Sequence, residues 1–484
     1  MTILTVLYTI IGAGIGLAMG ALPGLTVTMT AVLVVSLTYG WPMTDALAFI
    51  CGAFCGGVTG GAISAIGLNI PGTSAAVATV FDGHPLKNRG EADNALNVAL
   101  MTSFIGAIIG IIIMLLVGPA IGKFALKFGS QEYFLITLWG LTLVSVLSKG
   151  NWVKGICSAF FGLFVGMIGM DPVMGLMRFT FGTRILSGGI NFVAAMIGLF
   201  GMKEVFNQLS TTASFNITRT VYNLKGLLPK MDLLKKVWRV IPWGGPLGTL
   251  IGLLPGTGGD VACIAAYGVA KQVIKKPSRP FGEGAYEGVA APEVANNAAI
   301  GGAMTTMLTL GIPGDSVSAI ILGSFYLHGL LPGPTFMMTE KHYFYLIVGY
   351  LIIGSIAAYI FGILGSNLIL KAINLPKSLL IPFITILCVV GSYALSNNLY
   401  DVFIMVIFGI IGYVFEKTGF PIGPIVLAII LGPMIERNLR QALINTGGVF
   451  PFVSSLFTRP ISLVILILVI ASYVLQKRVM KDAN

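Results

Sequence analysis

Four Pro-Gly pairs, each set inside a long apolar run, constrain this chain more than any other feature. They are Leu22-Pro23-Gly24 and Ile70-Pro71-Gly72, then Leu254-Pro255-Gly256 and Ile312-Pro313-Gly314. Proline removes a backbone donor and clashes with the preceding turn, and glycine adds freedom, so a helix breaks at each pair. Inside a bilayer, broken backbone is tolerated only where protein or a water-filled cavity covers it. Paired interruptions at matching places in two halves point to a transporter's binding site.

The rest of the chain supports a membrane setting. Hydrophobic residues make up 56% and charged residues 10% of the 484 positions, and mean hydropathy is +0.92. A soluble domain carries about 25% charged residues, so a water-soluble fold is excluded. At about 20 apolar residues per crossing there is room for roughly 10–12 membrane segments.

The two halves match residue by residue. Gly16, Gly20, Leu22, Pro23 and Gly24 correspond to Gly248, Gly252, Leu254, Pro255 and Gly256, an offset of 232. Gly60, Leu68, Ile70, Pro71, Gly72 and Ser74 correspond to Gly302, Leu310, Ile312, Pro313, Gly314 and Ser316, an offset of 242. The chain therefore divides into a first transmembrane repeat at 1–202, a basic cytoplasmic linker at 203–240 and a second repeat at 241–484. A charged loop is expected at 82–94.

Charge sets the orientation. Lys203, Arg219, Lys225, Lys230, Lys235, Lys236 and Arg239 face only Glu204 and Asp232 between 203 and 239, and Lys271, Lys275, Lys276 and Arg279 follow. Such clusters mark cytoplasmic loops, so the net charge of +11 reflects topology rather than a nucleic-acid surface. Both flanks of 241–270 are basic. Each arm around Pro255-Gly256 has about 14 residues, roughly 21 Å, too short for a core of about 30 Å. A re-entrant hairpin follows. Its counterpart near Pro23 has no Lys or Arg before Lys87 and is expected to enter from the other side. The expected fold is an all-α polytopic membrane protein of two inverted repeats with broken helices and re-entrant hairpins.

Capping residues follow each break: Thr26, then Thr73 and Ser74, then Thr257, then Asp315 and Ser316. A helix N-terminus carries partial positive charge and free N–H groups, which suits a carboxylate. Asn296 and Asn297 add neutral amides ahead of the fourth break. Asp260, Glu293 and Asp315 are acids in or beside the breaks and would repel an anion, so they are candidates for sodium or proton coupling. No Lys or Arg occurs in 52–80 or 297–325. A co-bound cation is then the simplest compensation for a buried anionic substrate. No protein-held cofactor is expected; Na+ (or H+) enters as the coupling ion.

Other chemistries find no footing. Cys51, Cys55, Cys157, Cys263 and Cys388, with His84, His328 and His342, are scattered without metal-site or disulfide spacing. The enzyme motifs HExxH and GxSxG do not occur, so no enzyme is expected. Residues 3–22 lack a basic n-region and read as a retained first segment. Glu436 and Arg440, spaced i,i+4, are expected to pair. An anion channel or non-coupled carboxylate facilitator is the competing function; sodium dependence of flux discriminates it.

Several stretches resemble the large membrane subunit of the tripartite tricarboxylate transporters, the TctA family. They are Gly16-Leu-Ala-Met-Gly-Ala-Leu-Pro-Gly-Leu25, Asn69-Ile-Pro-Gly-Thr-Ser74, Phe81-Asp-Gly-His-Pro85 and Arg178-Phe-Thr-Phe-Gly182. The second half contributes Leu254-Pro-Gly-Thr-Gly-Gly259, the stretch from Glu287 to Ala298, Leu310-Gly-Ile-Pro-Gly314 and Gly432-Pro-Met-Ile-Glu-Arg437. The resemblance implies a bacterial inner-membrane permease importing carboxylates such as citrate on an ion gradient. It also implies two partners, an extracytoplasmic solute-binding protein and a small membrane subunit.

Overall fold

The computed structural model describes residues 1–482 apart from Pro23, 148–151, Pro172, Arg184, 211–221 and 373–376. Pro23 of the first break and part of the expected linker thus lie outside the described residues. The first half contains α1 (Ile3–Ala21), α2 (Val27–Leu37), α3 (Met43–Leu68), a 3-10 turn (Ser74–Ala76) leading into α4 (Val77–Asn88), α5 (Ala92–Ala125), α6 (Ser130–Leu147) and α7 (Trp152–Gly166). Two-residue strands at Gly169–Met170 and Met177–Arg178 pair antiparallel. Next, α8 (Phe192–Met196) runs through a π-helical stretch (Ile197–Met202) into α9 (Lys203–Ser210). The repeat boundary expected at 202 therefore falls inside a helix.

Two short helices, α10 (Leu224–Leu227) and α11 (Met231–Val237), lead to the second half. There α12 (Ile241–Leu253) and α13 (Gly258–Val273) flank the third break, and α14 (Tyr286–Leu310) and α15 (Ser316–Leu327) flank the fourth. The chain then forms α16 (Phe336–Thr339), α17 (Lys341–Ala372), α18 (Lys377–Ser396), α19 (Leu399–Lys417), α20 (Ile422–Thr446), α21 (Val449–Thr458) and α22 (Pro460–Asp482).

This is an all-α polytopic membrane architecture. Among the described residues α1, α3, α5, α17, α19 and α20 are long and apolar enough to cross a bilayer, and α21 with α22, bent by 89°, makes a seventh. The shorter apolar pieces (α2, α7, α15 and Ile381–Ser396 of α18) account for the larger count of segments expected from hydropathy. With 13 and 16 residues, α12 and α13 reach only about 20 and 24 Å. Both lie against α14, as a re-entrant pair would. Its counterpart differs: α1, at 19 residues, is long enough to span by itself.

Why do the helices end where they do? A left-handed residue closes α3 at Asn69 (φ 61) and α14 at Gly311 (φ 72). These positions are equivalent in the two halves, and Asn and Gly are the residues that tolerate αL. Pro71 and Pro313 then follow at once and prevent continuation.

The duplication reappears in the packing. A Cβ at Gly20 would overlap the Gly57 carbonyl, and one at the equivalent Gly252 would overlap the Ala299 carbonyl. Gly16 meets the Ala53 carbonyl as Gly248 meets that of Ala295, and Gly60 meets Leu17 as Gly302 meets Thr249. Small residues let two backbones approach this closely, and each Cα–H···O contact adds about 0.5–1 kcal/mol. The halves also interlock: α5 packs on α14 while α17 packs on α3. Likewise α20 packs on α6 and α7, while the 197–202 stretch packs on α18 and α19. The halves thus form one body, with α3 and α14 at its centre.

One expectation needs correction. Within the loop expected at 82–94, residues 82–88 complete α4 and the chain turns into α5 at Ala92. The reason is Asp82, which is fully buried. Its Oδ1 accepts from the amides of Gly282, Gly284 and Ala285 at 2.9, 2.9 and 2.7 Å. The Tyr267 hydroxyl donates to Oδ2 at 3.0 Å. A carboxylate so engaged latches α4 to the start of α14. The expected Glu436–Arg440 pair is present at 2.7 Å. It belongs to a network in which Arg178 also grips Glu436 at 2.6 Å and Asp171 meets Arg440 at 2.9 Å.

Candidate functional site

Each break brings a different element to the centre. The third and fourth touch: a Cβ at Gly258 (φ +53) would stand 2.5 Å from the Asp315 Cβ. The fourth also nests in the third, because Gly314 sits against the Gly252 carbonyl just as Gly72 sits against that of Gly20. Between the halves, α13 lies against the 74–76 turn and α15 against α2. Helices that start at breaks in one half thus meet helices that start at breaks in the other.

The capping residues do not behave alike. Thr26 accepts from the Met29 amide at 3.1 Å and caps α2. Asp315 accepts from the Ser318 amide at 2.7 Å in a reciprocal capping box, with Ser316 opening α15. Thr257 instead donates backward, to the carbonyls of Ile251 and of Leu254 (2.9 Å). It seals the end of α12 and leaves the first amides of α13 without a side-chain cap. Thr73 is buried with its hydroxyl unpartnered, and Ser74 beside it is exposed.

Polar side chains on α14 are the second component. Glu293 is 1% exposed, and the hydroxyls of Thr79 and Ser103 donate to its two oxygens at 2.5 and 2.7 Å. Asn297 accepts from the Thr59 hydroxyl and donates to the Glu293 carbonyl, both at 3.1 Å, so it ties α14 to α3. Asn296 differs. It is 2% exposed, and neither its amide nitrogen nor its amide oxygen has a hydrogen-bond partner. A Cβ at Gly259 would collide with the Asn296 amide oxygen, which places this unpaired amide against the third break. Leaving such a group buried and unpaired costs about 1–3 kcal/mol. Asp260 follows one residue later in the first turn of α13, exposed.

Sequence reasoning missed several residues here. Thr59, Thr79 and Ser103 are single hydroxyls within apolar helices and carry no motif. Glu204 packs with its Oε1 2.7 Å from where a Gly24 Cβ would be, so α9 covers the first break. Its position just past the expected repeat boundary hid that role. At the surface end of α5, Glu91 is held below the usual carboxylate range, chiefly by its hydrogen bond from Arg279, 2.5 Å away.

A family model described as Tripartite tricarboxylate transporter TctA family matches residues 6–427. The chain belongs to this family. As a TctA-family protein it is a membrane component of a three-part transport system rather than an enzyme. A relative from Agrobacterium vitis, described as an uncharacterized 52.8 kDa protein in the TAR-I ttuC' 3' region, is 34% identical over 449 residues. That alignment covers 93% of this chain and 89% of the relative. A second protein of that organism, from the TAR-II ttuC' 3' region, is 40% identical over 201 residues, 42% of this chain and 83% of its own length. No solved structure shows a significant match.

Proposed function

We propose that this TctA-family chain is the permease of a binding-protein-dependent secondary transporter that imports carboxylates of the citrate type, coupled to a cation. It works in the bacterial inner membrane with an extracytoplasmic solute-binding protein and a small membrane subunit, its two repeats inverted relative to each other. The single observation that carries the reading is the Asn296 amide, buried, unpaired on both atoms and set against the third break. A buried amide without partners is a group waiting for a ligand. Its N–H donors suit a carboxylate and its oxygen a cation.

In this reading Thr26, Ser74 and Ser316, with the helix starts they mark, gather around the substrate, while Thr73 adds an unpaired hydroxyl. Thr257 and Asn297 shape the site by holding the broken backbone and α14 in place. Each helix N-terminus contributes up to about 1–2 kcal/mol toward an anion, less than the several kcal/mol needed to bury one unpaired charge. A co-bound cation makes up the difference, with sodium the first candidate. Asp315 and Asp260 stand beside the break, and Glu293 lies one turn before Asn296, so these acids hold the ion or carry a proton.

The test is uptake of labelled citrate into proteoliposomes containing the chain, its small subunit and its binding protein. A sodium gradient should drive accumulation, and Asp315→Asn should weaken the ion dependence. Asn caps a helix as well as Asp does, so this change removes charge while keeping α15. Uptake that proceeds unchanged with neither a sodium nor a proton gradient would overturn the coupling.

A further inference from the structure

Away from the breaks, a surface cavity of about 630 Å³ opens between α11, the 274–285 loop and the starts of α5 and α14. Five cations line it: Lys235, Lys236, Arg239, Lys276 and Arg279. Its two carboxylates are already engaged. Glu287 accepts from the Ser278 amide at 3.0 Å and its hydroxyl at 2.5 Å. Glu91 takes the Arg279 guanidinium and the Tyr286 hydroxyl. Among the described residues no carboxylate lies within ion-pair distance of Lys235, Lys236, Arg239 or Lys276. One Arg279 nitrogen, Nη1, is buried without an acceptor.

A cytoplasmic location accounts for basic residues on this side of the protein. It does not account for five of them converging on one concavity, nor for a guanidinium donor left unsatisfied. The surroundings narrow the ligand. Met231 and Trp238, 64% and 58% exposed, flank the lysines of α11, the mix of apolar and cationic side chains found where a protein meets the headgroup layer. Basic pockets on the cytoplasmic side of membrane proteins suit phosphate-bearing headgroups.

We propose that this cavity is a binding site for a phosphate-bearing anion, of the kind presented by an acidic phospholipid headgroup. Arg279, held from one side by Glu91 and stacked near Tyr286, is fixed in place as one wall of the site. The lysines and Arg239 supply the remaining charge.

The test compares the wild-type chain with Lys235→Ala/Arg239→Ala/Lys276→Ala, three exposed side chains. A control variant, Lys123→Ala/Lys127→Ala/Lys341→Ala, removes the same charge elsewhere. One arm measures, by native mass spectrometry, retention of phosphatidylglycerol or cardiolipin against phosphatidylcholine. The other measures binding of inorganic phosphate to lipid-free protein in detergent. Each surface cation contributes about fivefold to affinity for an acidic headgroup, so the cavity variant should lose on the order of a hundredfold. The control should bind like wild type. Loss in the lipid arm assigns the headgroup, and loss in the phosphate arm alone assigns the free anion. Equal binding by wild type and cavity variant in both arms, or equal loss in the control, would overturn the site.

Discussion

Gly258 and Asp315 lie face to face across the third and fourth breaks, with 2.5 Å between the Asp315 Cβ and the place a Gly258 Cβ would occupy. Nothing larger than glycine fits there. The left-handed backbone at Gly258 (φ +53) adds about 1–3 kcal/mol of strain for any other residue. Gly258→Ala should therefore lower the unfolding temperature and abolish uptake. Gly268→Ala, in the same helix with no atom within 4 Å, should be neutral or stabilising by up to about 1 kcal/mol. Thermal unfolding and vesicle uptake of the two variants check this together.

Asn297 should behave as a structural link. Removing its two hydrogen bonds, to Thr59 and to the Glu293 carbonyl, should cost about 1–3 kcal/mol. A double-mutant cycle with Thr59→Val should show coupling of at least about 0.5 kcal/mol. Strict additivity would show that the 3.1 Å contact contributes nothing.

Asp82 is expected to matter more. Asp82→Ala leaves the amides of Gly282, Gly284 and Ala285 without their acceptor, and buried unpaired donors cost about 1–3 kcal/mol each. Asp82→Asn keeps an oxygen at the same place and should be milder. Equal unfolding temperatures for the alanine variant and wild type would contradict the latch.

These contrasts show what was legible in the sequence. The breaks could be read because proline and glycine act locally, and the duplication because residues such as Gly20 and Gly252 meet the same obstacle in both halves. Membrane character followed from composition alone. The difference between Asn296 and Asn297 could not be read. Both are buried amides on one helix, and Asn297 is the one satisfied because Thr59 of α3 and the Glu293 carbonyl both reach it. The role of Asp82 was hidden likewise, since its partners lie about 200 positions away in the chain. Thr257 reads as a cap, but its hydroxyl turns back to α12, a choice set by the geometry of the broken backbone.

Acid should loosen the junction of α5 with the 274–285 loop. The carboxyl of Glu91 is held below its ordinary value of 4.5, mainly by Arg279. A depressed value in the folded state means the stabilisation is complete above about pH 4.5 and fades as pH falls through the folded value. The unfolding temperature should stay level from neutral pH down to that range and then drop. Glu91→Gln should flatten the drop; an identical acid limb in the variant would show that Glu91 plays no part.

The central claim is that the third break, with Asn296 beside it, forms the substrate site, and uptake by Asn296→Ala tests it most directly. That side chain makes no hydrogen bond, and its unpaired burial costs about 1–3 kcal/mol, so its removal should leave the protein at least as stable as wild type. In reconstituted vesicles supplied with the binding protein and small subunit, the variant should take up carboxylate at least about tenfold more slowly, the equivalent of one lost hydrogen bond to a charged ligand. Wild-type uptake kinetics in a stably folded Asn296→Ala protein would contradict the account.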